Sequence, residues 1–133
     1  MNGTNPPPYK MLIIDDEGFV RDILRDLFSE RFECTTAASA AEALATVENE
    51  RFSIVLSDID LGDMSGIEVV PRVLKQSPDT VVIMISGNQT IDVAIEAMRV
   101  GAFDYIRKPF EIDFVELAVK RAFDHHKLLA GKR

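Results

Sequence analysis

Five acidic residues stand in two short runs: Asp15 and Asp16 in "LIIDDE", then Asp58, Asp60 and Asp63 in "SIVLSDIDLGDMSG". A serine, Ser86, follows in "VIMISG" and a lysine, Lys108, in "YIRKPF". Carboxylates gathered in one pocket repel one another and need a cation. Their oxygens, with water and backbone carbonyls, suit magnesium, which favours an octahedral oxygen shell. A carboxylate held there can act as a nucleophile toward phosphorus. A metal, an ammonium and a hydroxyl would stabilise the negative charge that spreads over the phosphoryl oxygens. Taken singly, each residue has a plainer reading. Asp15 could cap a helix, Ser86 could cap or turn, and Lys108 could be a solvated loop charge. The chemistry requires that the fold bring them to one place.

Each of these residues follows an apolar run. "YKMLII" reads as a buried strand ending at Asp15 and Asp16. Residues 20, 23, 24, 27 and 28 are apolar, which is helical spacing. "FECTTA" is a second strand, and Ser39 with Glu42 forms a capping box ahead of a second helix. "FSIVLSD" is a third strand, whose rigid backbone would aim Asp58 into the pocket as the nucleophile. "TVVIMIS" is a fourth strand, dense enough in β-branched residues to be buried on both faces, and it ends at Ser86. "TIDVAIEAMRVG" places Ile91, Ala94, Ile95 and Met98 on one helical face, with Gly101 ending the helix. "AFDYI" is a short fifth strand, and a last helix runs from Phe110 to about Leu129. Between strands three and four, Ser65 and Glu68 suggest a capping box. Pro71 would then lie inside that helix, so the helix either starts late, near Pro71, or kinks there. Strand–helix alternation of this kind implies an α/β fold with a parallel, doubly wound sheet. Functional residues in such sheets collect at the carboxyl ends of the strands, which is where the acids, the serine and the lysine stand.

The chain has 133 residues and one cysteine, with 47% hydrophobic and 28% charged residues. These values indicate one globular domain without an internal disulfide or a zinc site. Cys34 reads as a small core residue rather than a reactive thiol. There is no membrane-length apolar run and no signal-peptide pattern, so a cytoplasmic setting is expected. The net charge is −7, with a local +4 over residues 117–133 and −11 over the remainder. An acidic surface disfavours direct nucleic-acid binding by this domain. Residues 1–8, "MNGTNPPP", read as a disordered leader. Residues 125–133 read as a helical extension or linker tail beyond a domain spanning 9–124.

Together "LIIDDE", "IVLSDIDLGDMSG", "VIMISG" and "GAFDYIRKPF" resemble the response-regulator receiver domain of two-component signalling, in the family's order and over nearly the whole chain from Tyr9. The resemblance implies a flavodoxin-like sheet of five parallel strands in order 2-1-3-4-5 with five helices. It implies that Asp58 is the phosphoacceptor for the phosphohistidine of a sensor histidine kinase or phosphotransfer protein. Mg2+ (or Mn2+) would be held by Asp15, Asp16, Asp58 and the backbone carbonyl of Asp60, with Asp16 the better candidate of the acidic pair for a direct ligand. Ser86 would move toward the phosphoryl group, Lys108 would engage it, and Tyr105 would turn inward as the switch aromatic. The Lys108–Pro109 bond is expected to be cis. Such a domain is not an enzyme beyond its own phosphorylation and dephosphorylation.

The sequence departs from the family pattern at Gly62, where many relatives have proline, and this should loosen the loop. Gly66 keeps the later turn glycine. Asp60 and Asn88 occupy positions that influence dephosphorylation, and Gly87 leaves access to the site open. Asp63 reads as a solvated loop residue.

Three other readings of the acids compete with this one. A phosphatase resembling the haloacid dehalogenase superfamily would use Asp58 as nucleophile within "DIDLG", but there the acidic pair comes late, whereas here it is at 15–16. An EF-hand loop fails because its sixth position is Asp63 and its twelfth Val69. A pure protein-interaction module would leave the acids without chemistry. The expected output is a change in the face made by the fourth helix, fifth strand and fifth helix, including Ile91, Ile95 and Tyr105. That face would control an output domain beyond Arg133 or a separate effector, and could form a phosphorylation-dependent homodimer. The run from Gly101 and the following helix resemble receivers of enhancer-binding transcription activators or of signalling enzymes of cyclic-nucleotide pathways. His125 and His126 read as exposed helix residues.

Overall fold

The computed structural model describes residues 8–87 and 90–131. Residues 1–7 of the expected leader, Asn88, and Lys132 and Arg133 of the basic tail lie outside the described residues. In chain order the elements are β1 (Lys10–Ile14), α1 (Gly18–Phe28), β2 (Glu33–Ala37), α2 (Ala40–Asn49), β3 (Ile54–Asp58), α3 (Gly66–Gln76), β4 (Val81–Ser86), α4 (Ile91–Arg99), β5 (Asp104–Arg107) and α5 (Ile112–Gly131). The strands form one parallel sheet in the order β2-β1-β3-β4-β5. The expected boundary after residue 124 falls inside α5, which continues unbroken to Gly131.

Strand side chains alternate between two cores, as the two-residue period of a strand requires. Met11 and Ile13, Ile54 and Leu56, and Val81, Ile83 and Ile85 face a core closed by Leu24 and Phe28 of α1 and Val115, Ala118, Val119 and Ala122 of α5. Leu12 and Ile14, Val55, and Val82 and Met84 face the opposite core with α2, α3 and Ala97 of α4. Coverage on both faces is why β1, β3 and β4 are near-continuous apolar runs. Cys34 packs at the edge of the first of these cores, where burial pushes its thiol up to about 11. The thiolate needed for reactivity is therefore scarce at neutral pH.

Register aligns the strand ends. Ile14 lies opposite Ser57, Asp58 opposite Ile85, and Ser86 opposite Arg107. Asp15, Asp58, Ser86 and Lys108 therefore emerge at one edge of the sheet.

Two helices resolve what the spacing left open. In α3 the late start does not occur. Ser65 caps the helix by accepting from the Ile67 N–H, and the helix runs through Pro71. The cap outweighs the one amide hydrogen bond that proline cannot supply. In α4 the Ile91, Ile95 and Met98 stripe points to solvent, with Ile91 75% and Ile95 56% exposed. Small Ala97 lies flat against the sheet, with Val93 and Val100 beside it.

Gly62 forms a left-handed turn. Its φ of +86° lies in the left-handed region, which proline cannot adopt. A Cβ there would meet nothing within 4 Å, so Gly62→Ala should cost only the backbone term, about 1 kcal/mol. The urea midpoint would fall accordingly with an unchanged m-value.

Candidate functional site

Lys108 is the hub of the strand-end cluster. Its backbone N–H donates to the Ser86 carbonyl at 2.8 Å, carrying the β4–β5 pairing one residue past β5. That anchor directs the side chain back across the sheet edge. Its Nζ lies 2.9 Å from Asp15 Oδ2, 3.0 Å from Asp58 Oδ2 and 3.4 Å from Glu17 Oε1. Asp15 is 2% and Asp58 6% exposed. Each of these two carboxylates gives one oxygen to the ammonium and the other to a backbone amide. Asp15 Oδ1 accepts from the Glu17 N–H at 2.9 Å, and Asp58 Oδ1 from the Asp60 N–H at 3.2 Å. Arg21 of α1 donates to the Asp15 carbonyl at 2.7 Å, fixing the turn into the helix. The bond between Lys108 and Pro109 is cis, as expected.

Burial raises the Asp58 carboxyl above its ordinary value, the Lys108 hydrogen bond and charge oppose that rise, and the Asp15 charge adds to it. Burial alone would lower the Lys108 ammonium, but its hydrogen bonds to Asp15 and Asp58 and their charges raise it well above the ordinary value. Lys108 is therefore a fixed positive charge. It faces more negative charge than it can neutralise, since Asp15, Asp58 and Glu17 all reach it and Asp16 stands beside them.

The donor set around that excess charge is all oxygen. Carboxylate oxygens of Asp15, Asp16 and Glu17 lie within 4.8 Å of one another, with Asp15 buried and the other two exposed. This composition fits a hard divalent cation such as Mg2+. Asp58 is not part of that threefold cluster but joins it through Lys108, and Asp60 adjoins through its backbone. Glu17 was missed in the sequence, although the third acid of "LIIDDE" was the available signal.

Ser86 is fully buried at the end of β4. Tyr105 stands opposite Met84 on β5, half-buried against the core on the α4 side. Asp63 is an exposed loop residue, as expected, but its carboxylate is also tied to a helix end. Its Oδ1 accepts from the Ala40 N–H at 3.1 Å and its Oδ2 from the Ala41 N–H at 2.9 Å. No helix of the described residues is long and apolar enough to cross a membrane.

The sequence profile of the response regulator receiver domain matches residues 11–120. The chain is 33% identical over 116 residues to the DNA-binding transcriptional regulator NtrC of Escherichia coli (strain K12), covering 86% of this chain and 25% of that one. It is 37% identical over 121 residues to a putative NtrX-like response regulator of Rickettsia bellii, covering 89% of this chain and 25% of the relative. It thus spans about a quarter of the length of these curated relatives. Among solved structures, a CheY-like response regulator receiver domain protein from Methanospirillum hungatei superposes with a TM-score of 0.85 at 32% identity, covering 90% of this chain and 96% of that one. With its strand order, its strand-end acids and lysine, and this match over most of its length, the chain belongs to the response-regulator receiver domain family.

Proposed function

We propose that Asp58 takes a phosphoryl group from the phosphohistidine of a sensor histidine kinase or phosphotransfer protein. The observation that carries this reading is the buried Asp58 carboxylate, 3.0 Å from the Lys108 ammonium at the end of a rigid strand. An Asp58 oxygen attacks phosphorus, the phosphorus–nitrogen bond breaks, and the imidazole departs with the bonding electron pair. Lys108, already shared by Asp15 and Asp58, balances charge on the phosphoryl oxygens as it builds. Asp15, Asp16, Asp58 and the Asp60 carbonyl would hold Mg2+ (or Mn2+), with Glu17 contributing a further carboxylate to the same oxygen cluster. When bound, the cation neutralises the carboxylates and the incoming phosphoryl oxygens. Lys108 and Ser86 then engage the phosphoryl group, and Tyr105 follows the movement of Ser86 inward. The haloacid dehalogenase reading places its acids in a different order, and the family matched is the receiver domain.

The readout is the face formed by α4, β5 and α5. Ile91, Ile95 and Met98 of α4 are exposed there. Tyr105 lines a neighbouring groove of about 510 Å³ with Phe114, Leu117 and Arg121. An apolar surface beside the switch aromatic can change its partner when that ring moves, and phosphorylation acts by shifting the population of the two states. The partner is an output domain beyond Arg133, a separate effector, or a second copy of the domain. A cytoplasmic location fits a kinase partner.

The test is incubation with acetyl phosphate and Mg2+. A hydroxylamine-labile acyl phosphate should form and map to Asp58, and beryllofluoride should change the chain's interactions at the α4–β5–α5 face. An unmodified chain would reject the reading. Unchanged oligomeric mass with beryllofluoride would remove homodimerisation alone as the output.

A further inference from the structure

The loop between β3 and α3 carries the Asp60 backbone, which serves the site twice. Its N–H holds Asp58 Oδ1, and its carbonyl is the one assigned to the cation. The loop is closed on itself by an antiparallel bridge between Asp60 and Ser65 and by the Gly66 N–H, which donates to the Ile59 carbonyl at 2.6 Å. On its other side, Ile59 and Leu61 of the loop are buried in the core shared with Ala40 and Ala43 of α2. A polar tie to α2 is added by Asp63. The left-handed turn at Gly62 delivers its carboxylate to the N-terminus of α2, where it accepts from the first two helical amides, Ala40 and Ala41. Ser39 takes the third, accepting from the Glu42 N–H at 3.1 Å. A carboxylate is well suited to this place, since helix N-terminal amides are unpaired donors and the helix dipole favours an anion. The two amides also draw the Asp63 carboxyl below its ordinary value, the Ala41 contact first.

α2 already has a local cap in Ser39. A capping role alone does not need a carboxylate brought from a residue 22 and 23 positions away. What Asp63 adds is a link between the α2 end and the loop that presents Asp60. We propose that Asp63 is a positioning residue for the phosphoacceptor site, holding the β3–α3 loop on α2 so that the Asp60 amide and carbonyl stay in place for Asp58 and the cation. This rests on the function proposed above. It concerns a residue that touches neither Asp58 nor Lys108. Losing the tie leaves the Asp58 carboxylate, Lys108 and the buried Ile59 and Leu61 in place but loosens the Asp60–Asp63 stretch, so the expected loss is in cation affinity rather than in the phosphoryl-transfer step.

The experiment compares the parent chain with Asp63→Ala, Asp63→Asn and Ser39→Ala. Amide chemical-shift titrations with Mg2+ give the affinity, and acetyl-phosphate rates at graded Mg2+ give its dependence. Asp63→Ala should weaken Mg2+ binding about tenfold while keeping the rate at saturating Mg2+ within about twofold of the parent. Asp63→Asn, which keeps one good acceptor for the two amides, should fall between. It also serves if the alanine variant does not fold. Ser39→Ala removes a cap from the same helix end and should lower thermal stability without moving the Mg2+ curve. An Asp63→Asn or Asp63→Ala curve superimposed on the parent's would overturn the proposal, as would an equal shift in Ser39→Ala. A parent chain that shows neither Mg2+-dependent shifts nor phosphorylation would instead reject the reading of the site itself.

Discussion

An Asp58→Asn variant takes up no phosphoryl group from acetyl phosphate at any Mg2+ concentration, and without metal it is more stable than the parent at neutral pH by on the order of 1 kcal/mol. The first half follows from chemistry, because the neutral amide is a poor nucleophile toward phosphorus. The second follows from the environment of Asp58. Its carboxylate is buried beside that of Asp15, and burial raises its pKa despite Lys108. The folded chain therefore binds a proton at Asp58 more readily than the unfolded chain does. Stability is lost as pH rises from the ordinary carboxylate value of 3.8 through the higher folded value, and the loss is complete above it. Asparagine carries no such cost. Lys108 is not stranded by the change, because Asp15 remains at 2.9 Å and Glu17 at 3.4 Å. The stabilisation should be full at neutral pH and vanish as pH falls toward 3.8. Urea midpoints across that range, in chelator, would measure it. An acyl phosphate forming in Asp58→Asn would move the acceptor to another acid. A destabilised variant would mean that the Asp58–Lys108 pair outweighs the burial of its charge.

In the proposed function the site and the switch draw on the same few groups. Lys108 is held by Asp15 and Asp58 through its side chain and by Ser86 through its backbone. On the proposed function, a phosphoryl group added to Asp58 would draw on that lysine, and the change would pass to Ser86 and Tyr105, two residues before the β5 end. α4, which carries the exposed apolar stripe, packs against β5 itself. On that proposal a change of charge at one carboxylate would reach an exposed hydrophobic surface through a short chain of packed residues.

What the sequence made legible was local. Apolar runs that end in Asp15, Asp58, Ser86 and Lys108 show strands and their functional ends, because burial on both sheet faces forces unbroken hydrophobic stretches and the polar residue marks where the sheet stops. The stripe Ile91, Ile95 and Met98 showed a helix face but not its direction. Periodicity alone does not say whether the large residues or the small Ala97 meet the sheet, and here close packing chose the small one. Pro71 set a chain-propensity rule against a capping signal, and only the observed cap at Ser65 decides between them. The Asp63 tie and the Gly62 turn were not legible for a different reason. Their roles depend on a helix end more than twenty residues away, and no spacing rule reaches that far. Glu17 was visible but looked redundant beside Asp15 and Asp16 until Lys108 was seen to touch it.

A Gly66→Ala substitution should be among the most damaging changes outside the acids and the lysine. Gly66 is the first residue of α3, and a methyl group there would overlap the Asp58 carbonyl oxygen while standing 3.0 Å from Ile59 Cα and 3.0 Å from the Met84 methyl. Two of these neighbours are backbone, so no rotamer change relieves the contact. Either α3 or the end of β3 must move. Its N–H is also committed to the Ile59 carbonyl, which resists displacement of the helix. Overpacking of this kind costs about 3 kcal/mol, or on the order of 10 °C in melting temperature for a chain of this size. The strand end that would shift carries Asp58. A displacement of about 1 Å relative to Lys108 should slow phosphorylation by roughly a hundredfold. Gly87→Ala is the matched control, since a methyl there meets nothing within 4 Å and should leave the melting temperature unchanged. If Gly66→Ala melts and phosphorylates like the parent, close contact between α3 and the end of β3 is not what holds Asp58 in place.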